Sequence, residues 1–230
     1  MKTTRKGDSG RRQRKSKAPK IRPAGKRQEN KKATQERILK AALDLFSTRG
    51  FYETTTRQIS RKARVAEGTL FNYFRSKEDL ALYFFEQEVQ NAIEWFQAEK
   101  ELQQAAVVEQ LFAVIHRHLE RMAPYEEFIG AVYLRALQPV SKLHPMSIEG
   151  QSLNLRYLRF IRGILEHAEQ EEEIPAVGDL GAWAVGLFHL GILTFWLHDD
   201  SRGKERTLAL LDRSLKVARA ILRRGGDWNW

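Results

Sequence analysis

The 230-residue sequence contains no cysteine, which excludes disulfide bonds and thiolate metal sites. Common catalytic signatures are also missing, since there is no H-E-x-x-H, no G-x-S-x-G and no glycine-rich phosphate loop. His116 and His118 stand two residues apart, on nearly opposite faces of a helix, so they cannot share a metal ion. We therefore expect a protein without metal, cofactor or catalytic residues. The lack of cysteine also fits a cytoplasmic protein.

The first 33 residues lack apolar side chains, because Ile21 is their only large apolar residue after Met1. They carry 14 basic and 2 acidic residues, against 9 and 6 in residues 34–80 and 16 and 21 in residues 81–230. We expect residues 1–33 to be a disordered basic arm without a secretory signal. The arm either follows DNA phosphates or the minor groove, or is a solvated tail, or is a transit peptide.

No stretch alternates apolar and polar residues as a half-buried strand does, and no internal repeat is present. Apolar residues instead recur at helical spacing, which predicts an all-α fold. The first firm helix is Thr34–Arg49, ended by Gly50. Its predicted buried face is formed by Ile38, Ala41, Ala42, Leu45 and Phe46. We expect Phe51 and Tyr52 after it to point inward.

Residues 55–77, TTRQISRKARVAEGTLFNYFRSK, are the stretch around which the chain is organised. Thr55 and Gln58 have the spacing of a capping box, which predicts a short helix from Thr55 to Lys62. A three-residue turn follows, and then a second short helix, Glu67–Tyr73. Two short helices across a tight turn suit insertion of the second helix into a major groove of DNA.

A third helix of this module is predicted to begin at Ser76, which pairs with Asp79 as a cap, and to run to about Glu99. Leu70 and Phe74 are expected in the core of the module.

With the helix before it, this stretch resembles the N-terminal domain of TetR-family transcriptional regulators. The resemblance runs from about Thr34 to Leu82, and its most specific part is G-T-L-F-N-Y-F followed by S-K-E-D-L. Three positions depart from the family pattern: Arg64 replaces the usual glycine of the turn, Ala66 a capping serine, and Phe71 a tyrosine. The alternative interpretation is a three-helix packing module that never meets DNA.

The resemblance implies an N-terminal DNA-binding domain, residues 34–82, and a larger helical domain for effector binding and dimerisation, residues 83–225, with a tail at 226–230. Thr56, Lys77 and Tyr73 are expected to hold phosphates, and Gly68 to let the backbone approach DNA. Bases are expected to be read by Thr69 and Asn72 and by Arg57. The full set of predicted DNA-binding residues is Thr56, Arg57, Glu67, Gly68, Thr69, Asn72, Tyr73 and Lys77.

Beyond residue 99 the pattern predicts five more helices with short connections. They are Ala105–Met122, Tyr125–Leu137, Ile148–Glu172, Leu180–Leu197 and Arg206–Arg223.

Residues 180–197 contain no formal charge, so this helix is expected to be buried on all sides. Its length is the lower edge for a membrane span, but its glycines, histidine and threonine argue against one. The next helix carries a heptad seam, and two such helices per subunit predict a four-helix homodimer interface. The predicted interface residues are Leu187, Phe188, Leu208, Leu211, Leu215, Ala218 and Leu222. Alternatively, the pair closes the core of a monomer.

A small, largely apolar effector is expected in the C-terminal domain. Its candidate contacts are Trp95, Phe96, His116, Tyr133, Phe160, Trp183 and His189. For Trp95, Phe96 and His189 the alternative is an ordinary core residue, which is the commoner role of such side chains in an apolar helix.

Together these patterns predict a homodimeric regulator, a repressor released from a palindromic operator in double-stranded DNA when the effector binds. Two other classes remain open. One is a constitutive architectural DNA-binding protein without an effector, and the other is an all-α enzyme with an appended DNA module.

Overall fold

The structure is a computed structural model that describes residues 24–136, 138–144 and 147–225. Within those ranges every regular element is a helix, so the all-α prediction is confirmed. The helices are α1 (Ala24–Arg49), α2 (Thr56–Lys62), α3 (Glu67–Phe71), α4 (Lys77–Ala98), α5 (Lys100–Gln103), α6 (Val107–Met122), α7 (Glu126–Ala136), α8 (Ile148–Gln170), α9 (Gly178–His198) and α10 (Glu205–Gly225). Short 3₁₀ turns, Ala123–Tyr125 and Arg202–Lys204, precede α7 and α10.

The first helix begins ten residues earlier than the sequence pattern predicts. Residues 24–33 belong to α1, so the expectation of a disordered arm is wrong for this part. Residues 1–23 of the expected arm lie outside the described residues. Lys, Arg, Gln and Glu have good helix propensity, and a polar segment that adjoins an amphipathic helix can therefore extend it. Absence of apolar residues excludes burial but does not exclude a helix.

The core of the first four helices follows the predicted pattern. The apolar face of α1, including Ile38 and Phe46, is buried, and Leu70 and Phe74 are buried as predicted. Phe51 also points inward, whereas Tyr52 remains 60% exposed, so that half of the prediction is wrong. The Tyr52 hydroxyl donates to the carbonyl oxygen of Ala131 at 3.4 Å, which keeps the ring at the surface.

The capping box predicted for α2 is present. Thr55 Oγ1 accepts the Gln58 amide at 3.2 Å, and Gln58 Oε1 accepts the Thr55 amide at 2.8 Å. The turn then requires a left-handed residue, and Arg64 has φ = 54°. Ala66 precedes α3 without a side-chain cap, as its methyl group dictates. α3 is two residues shorter than predicted and ends at Phe71.

The fourth helix starts as predicted, because Ser76 Oγ accepts the Asp79 amide at 3.1 Å. α4 then runs without a break through residues 82 and 83, where the sequence predicts the domain boundary. The buried residues of α1–α4 and of the later helices form one continuous core. Beyond α4, the most extensive helix pairing is that of α8 with α9. α4 packs on α8 and on α6, and α10 packs on α6.

The prediction that the apolar helix is buried on all sides is wrong for the single chain. α9 buries Ala182, His189, Ile192 and Trp196, while Leu180 and Leu187 are 79% and 66% exposed. Because α9 packs on neighbours along one side only, its other apolar side lies at the surface. Among the described residues, one helix, Gly178–His198, is long and apolar enough to cross a membrane, judged by length and composition alone.

The left-handed residue of the turn gives a stability prediction. Arg64→Gly should raise the free energy of unfolding by about 1 kcal/mol, because glycine adopts positive φ without the steric cost of a side chain. Urea unfolding measures the change. Arg61→Gly, in the last turn of α2, is the matched control and should lower stability by about 1 kcal/mol. Destabilisation by both variants would contradict the strain assigned to Arg64.

Candidate nucleic-acid interface and effector cavity

The surface of α3 presents its predicted DNA-reading residues to solvent. Glu67, Gly68 and Asn72 are exposed, while Thr69 and Tyr73 are partly exposed beside the buried Leu70. A Cβ built on Gly68 would meet no atom within 4 Å, so the glycine leaves open space at the surface. This arrangement is compatible with an approaching DNA backbone. Asn72, predicted inside this helix, lies just past the end of α3 as its C-terminal cap.

The second helix is tied to α3 near the same surface. Thr56 Oγ1 donates to Glu67 Oε1 at 3.4 Å, which joins the first residues of α2 and α3. Arg57 is exposed on α2. Residues from two helices therefore share one polar face, as a helix-turn-helix requires.

The ammonium group of Lys77 is engaged inside the module. Its Nζ donates to the carbonyl oxygens of Phe51 and Tyr52 at 2.7 and 3.0 Å, and lies 4.9 Å from the centroid of the Phe51 ring. Partial burial lowers the pKa of Lys77. The side chain thus holds the loop between α1 and α2 to the start of α4, a role the sequence did not indicate.

The predicted dimer seam on α10 is turned partly inward. Leu211 and Leu215 are buried in the chain's own core, so they are removed from the candidate interface. The exposed apolar residues of α10, Leu210, Val217 and Ile221, lie on a different side of the helix. The heptad spacing does mark a packing face, but that face meets α6 of the same chain. Of the other predicted interface residues, Leu187 and Ala218 are exposed, and Phe188, Leu208 and Leu222 are partly exposed.

The seven predicted effector contacts do not converge on one cavity. Phe96 and Phe160 pack edge to face at 5.5 Å, and Tyr133 is bonded through its hydroxyl to Thr194 at 2.7 Å. His116 stacks on Phe112 with ring centroids 5.7 Å apart. The Trp95 ring lies 5.8 Å from the Arg117 guanidinium.

Trp183 and His189 do line one cavity together. It measures about 220 Å³ and lies between α4, α6, α8 and α9. Its wall is mostly apolar, with Phe85 and Val89 from α4 and Leu158 from α8. We call it the central cavity.

A chain of three polar side chains runs through the wall of the central cavity. The Tyr157 hydroxyl lies 2.6 Å from His189 Nδ1, and His189 Nε2 lies 3.3 Å from His118 Nδ1. The remaining ring nitrogen, His118 Nε2, exposes less than 1 Å² and has no hydrogen-bond partner among the described residues. Burial lowers the pKa of His118 to about 4 and that of His189 well below its ordinary value, so both rings are neutral at pH 7.

The sequence does not single out His118 or Tyr157 as site residues. Both stand in apolar helical stripes: His118 follows Leu111 by seven residues and Ile115 by three, and Tyr157 precedes Ile161 by four. A polar residue inside an apolar stripe is the signal that could have found them. That signal does not show that they meet His189, because the three residues lie on different helices.

An ion pair between buried Glu88 and exposed Arg121 lies close to these histidines. Glu88 on α4 accepts two hydrogen bonds from Arg121 on α6, at 2.7 and 2.9 Å, and its side chain is only 8% exposed. The carboxylate also accepts from Asn91 at 3.3 Å. Bidentate bonding offsets the cost of burying this charge.

Two further concave regions border the same helices. A groove of about 510 Å³ lies along α4 and α8 and is lined by Ile93, Phe96 and Phe160 with Arg156 and Arg159. A more apolar groove of about 640 Å³ lies between α9 and α10, beside their exposed apolar sides.

These features define a helix-turn-helix DNA-binding protein with a helical C-terminal domain. Two family models match the chain: bacterial regulatory proteins of the TetR family at residues 38–84, and the tetracyclin repressor-like C-terminal domain at residues 110–226. The chain belongs to the TetR family of transcriptional regulators, and its resemblance at the sequence level is confirmed.

Similar proteins carry regulatory names. The chain is 27% identical over 193 residues to the HTH-type transcriptional regulator SrpR of Pseudomonas putida, covering 83% of this chain and 85% of that protein. It is 28% identical over 138 residues to the fatty acid metabolism regulator protein of Bacillus subtilis, covering 60% and 69%.

Among solved structures, FadR of Bacillus subtilis in complex with stearoyl-CoA matches with a TM-score of 0.62 at 24% identity, covering 79% of this chain and 96% of that chain. FadR of Thermus thermophilus in complex with lauroyl-CoA matches with a TM-score of 0.60 at 24% identity, covering 79% and 92%. These two structures share the fold of this chain.

The two neutral histidines give a pH prediction. In the unfolded chain a histidine takes up a proton near pH 6.5, but in the folded protein His118 does so only near pH 4. The unfolded state therefore binds more protons in this window, so stability should fall as the pH drops, by about 1.4 kcal/mol per pH unit for each histidine.

Urea unfolding between pH 7 and pH 4.5 measures this slope. The double variant His118→Gln/His189→Gln should flatten it. His116→Gln, on the same helix but outside the central cavity, is the matched control and should leave it unchanged. An unchanged slope in the double variant would assign the acid sensitivity to other groups.

Proposed function

We propose that the protein is a homodimeric repressor, released from a palindromic operator when a small effector enters the central cavity. The observation that carries the proposal is α4 itself. Its first turn closes the helix-turn-helix module, and Phe85 and Val89, about two and three turns further along, line the cavity. An effector that binds better when α4 is displaced would favour a state whose recognition helices no longer fit one face of DNA. It acts only through this difference in affinity.

The DNA-binding role of individual residues is part of the proposal. Thr69 and Asn72 would read base edges from α3, with Arg57 reaching from α2, while Thr56 and the Tyr73 hydroxyl would bind phosphates. For Lys77, whose ammonium holds two carbonyl oxygens, the contribution would be to position α4 against the loop. Two recognition helices per dimer would enter major grooves about 34 Å apart.

We assign the effector to the acyl-CoA class. Two supporting facts are the stearoyl-CoA and lauroyl-CoA complexes of the FadR proteins that share this fold. A third is that the apolar central cavity suits part of a hydrocarbon chain, and a second groove along α4 and α8 carries Arg156 and Arg159. Both arginines are exposed and have no ion pair among the described residues, so their guanidinium groups would be available to the phosphates of the CoA moiety.

Dimerisation would use the exposed apolar sides of α9 and α10. Leu180 and Leu187 on α9, and Leu210, Val217 and Ile221 on α10, form a surface too apolar to stay in water. Pairing two copies of these helices covers it in a four-helix arrangement. The same pairing explains an apolar α9 in a cytoplasmic protein without a membrane span, which is the localisation we propose.

DNA binding tests the proposed function directly. Fluorescence anisotropy at physiological salt should show tighter binding to a duplex from the chain's own upstream region than to a scrambled duplex, and lauroyl-CoA should release it. Asn72→Ala should lose about 1–3 kcal/mol of the discrimination between the duplexes. Tyr73→Phe is the comparison variant and should weaken binding to both duplexes equally, because a phosphate contact carries no sequence information. Equal loss on both duplexes for Asn72→Ala would remove its base-reading role.

The dimer face gives a second prediction. Val217→Glu should convert the dimer to monomers in sedimentation velocity, since it buries a charge in the apolar surface between subunits. Lys216→Gln changes the net charge by the same amount on the exposed polar side of α10 and should leave the dimer intact. A dimeric Val217→Glu variant would place the interface elsewhere.

A further inference from the structure

The polar chain in the wall of the central cavity ends at an unsatisfied atom. Tyr157, His189 and His118 come from α8, α9 and α6. The Tyr157 hydroxyl contacts His189 Nδ1, and His189 Nε2 contacts His118 Nδ1. The chain stops at His118 Nε2, which is sealed from solvent and unpartnered in the described part of the protein. A buried polar atom without a hydrogen-bond partner costs about 1–3 kcal/mol of stability. Stability alone therefore does not explain a polar atom at this position.

The direction of the hydrogen bonds decides what this atom is. A neutral histidine has one N–H and one lone pair, and the tyrosine hydroxyl has one hydrogen to donate. If Tyr157 donates to His189 Nδ1, then His189 Nε2–H donates to His118 Nδ1, and His118 Nε2 carries an unmet N–H. In the reverse direction the unmet donor is the Tyr157 hydroxyl, and His118 Nε2 has a lone pair. The 2.6 Å separation of the Tyr157 hydroxyl and His189 Nδ1 is in the range of an O–H donor and shorter than the range of an N–H donor, which selects the first direction and makes His118 Nε2 a free N–H donor.

The surroundings of that donor select the kind of acceptor. The central cavity is otherwise apolar, which disfavours a charged group inside it. Glu88 beside His118 is already paired with Arg121, so this pair leaves no free positive charge for an anionic ligand. A neutral oxygen on a hydrocarbon body meets both conditions.

We infer that His118 Nε2–H is the specificity-determining donor of the central cavity and binds the carbonyl oxygen of an uncharged ketone, ester or thioester group. The inference rests on the proposal that this cavity holds the effector, and it narrows the effector to ligands with a carbonyl inside the cavity. Because Nε2 is sealed, contact requires the wall to shift, and that wall includes Phe85 and Val89 of α4. Carbonyl binding is thereby linked to the helix that carries the DNA-reading module.

Two small probes isolate the carbonyl. A cavity of about 220 Å³ holds about seven or eight non-hydrogen atoms at roughly 30 Å³ each. The probes are 2-heptanone and 2-methyl-1-heptene, which have the same carbon skeleton apart from C=O in one and C=CH₂ in the other. Quenching of tryptophan fluorescence, with Trp183 in the cavity wall, gives the dissociation constant of each.

The two probes differ in hydration, so the quantity to compare is the ratio of their affinities in the wild type and in His118→Phe. The ketone-to-alkene ratio should fall about 3- to 10-fold in His118→Phe, the loss of one hydrogen bond to a neutral acceptor. His116→Gln is the matched control and should keep the wild-type ratio. A ratio unchanged in His118→Phe would overturn the inference, as would failure of both probes to bind the wild type.

A second measurement does not require a variant to fold as the wild type does. Long-range ¹H–¹⁵N spectra of ¹⁵N-histidine-labelled wild-type protein at pH 7 report the tautomer of each ring. His118 should be the Nε2–H tautomer, and its Nε2 signal should move with 2-heptanone but not with 2-methyl-1-heptene. The Nδ1–H tautomer would overturn the inference.

Release of the operator by lauroyl-CoA separates this inference from the proposed function. If lauroyl-CoA fails to release DNA while the probe ratio behaves as expected, the acyl-CoA assignment falls and the carbonyl donor stands. If lauroyl-CoA releases DNA equally from the wild type and His118→Phe, and the probe ratio is unchanged, the effector class stands and the role of His118 is overturned.

Discussion

Four phenylalanine rings hold the DNA-reading module to the rest of the helices. Phe46 of α1 stacks on Phe128 of α7 with centroids 4.9 Å apart, and Phe84 of α4 meets Phe128 edge-on at 5.5 Å. Phe51 joins Phe46 at 5.1 Å. Stacked and edge-to-face rings are packed in a preferred geometry, and all four are almost completely buried. A helix that moves at this junction must therefore carry its neighbours along.

Ion pairs at the surface strengthen the same junction. Asp79 in the first turn of α4 accepts the Arg75 amide at 2.8 Å and a hydrogen bond from Lys142 at 3.0 Å, and these contacts lower its pKa against the opposing effect of burial. Lys142 lies in the segment between α7 and α8, and α8 lines the central cavity. The first turn of α4 is thus joined to a residue outside the DNA-reading module.

Farther along, α4 also makes a polar contact with α6. Glu88 of α4 forms an ion pair with Arg121 of α6, and His118 and His189 lie beside this pair. Replacing such a group singly leaves a buried charge or donor without its partner, so the network is sensitive to small shifts. Packed networks of this kind favour discrete arrangements over a continuous range, as the proposed switch between two states would require.

The sequence predicted the module and the helices better than the C-terminal site, for physical reasons. Caps such as Thr55 and Ser76 act over three residues, so local spacing reveals them. The positive φ of Arg64 was also predictable, because the turn demands it whatever residue stands there. The central cavity was not, since His118, Tyr157 and His189 are far apart in the chain and meet only when three helices pack.

The dimer face shows the same limit in another form. Spacing identified an apolar stripe through Leu211 and Leu215, but α10 has apolar residues on two sides, and only packing decides which side faces α6. The exposed side, with Val217 and Ile221, follows from that choice. Before residue 34, the low hydrophobicity of the sequence predicts a lack of burial, but it does not exclude the helix that the structure has there.

A measurement of the distance between the two DNA-reading modules of a dimer tests the central claim. The claim is that a ligand in the central cavity moves the recognition helices through α4. The chain has no cysteine, so Arg61→Cys provides a single spin-label site on the exposed last turn of α2. Double electron–electron resonance would compare the free dimer, the operator complex and the lauroyl-CoA complex. If the ligand moves the recognition helices, the distance distribution with lauroyl-CoA is expected to be shifted away from that of the operator complex. Superimposable distributions with operator and with lauroyl-CoA would contradict it.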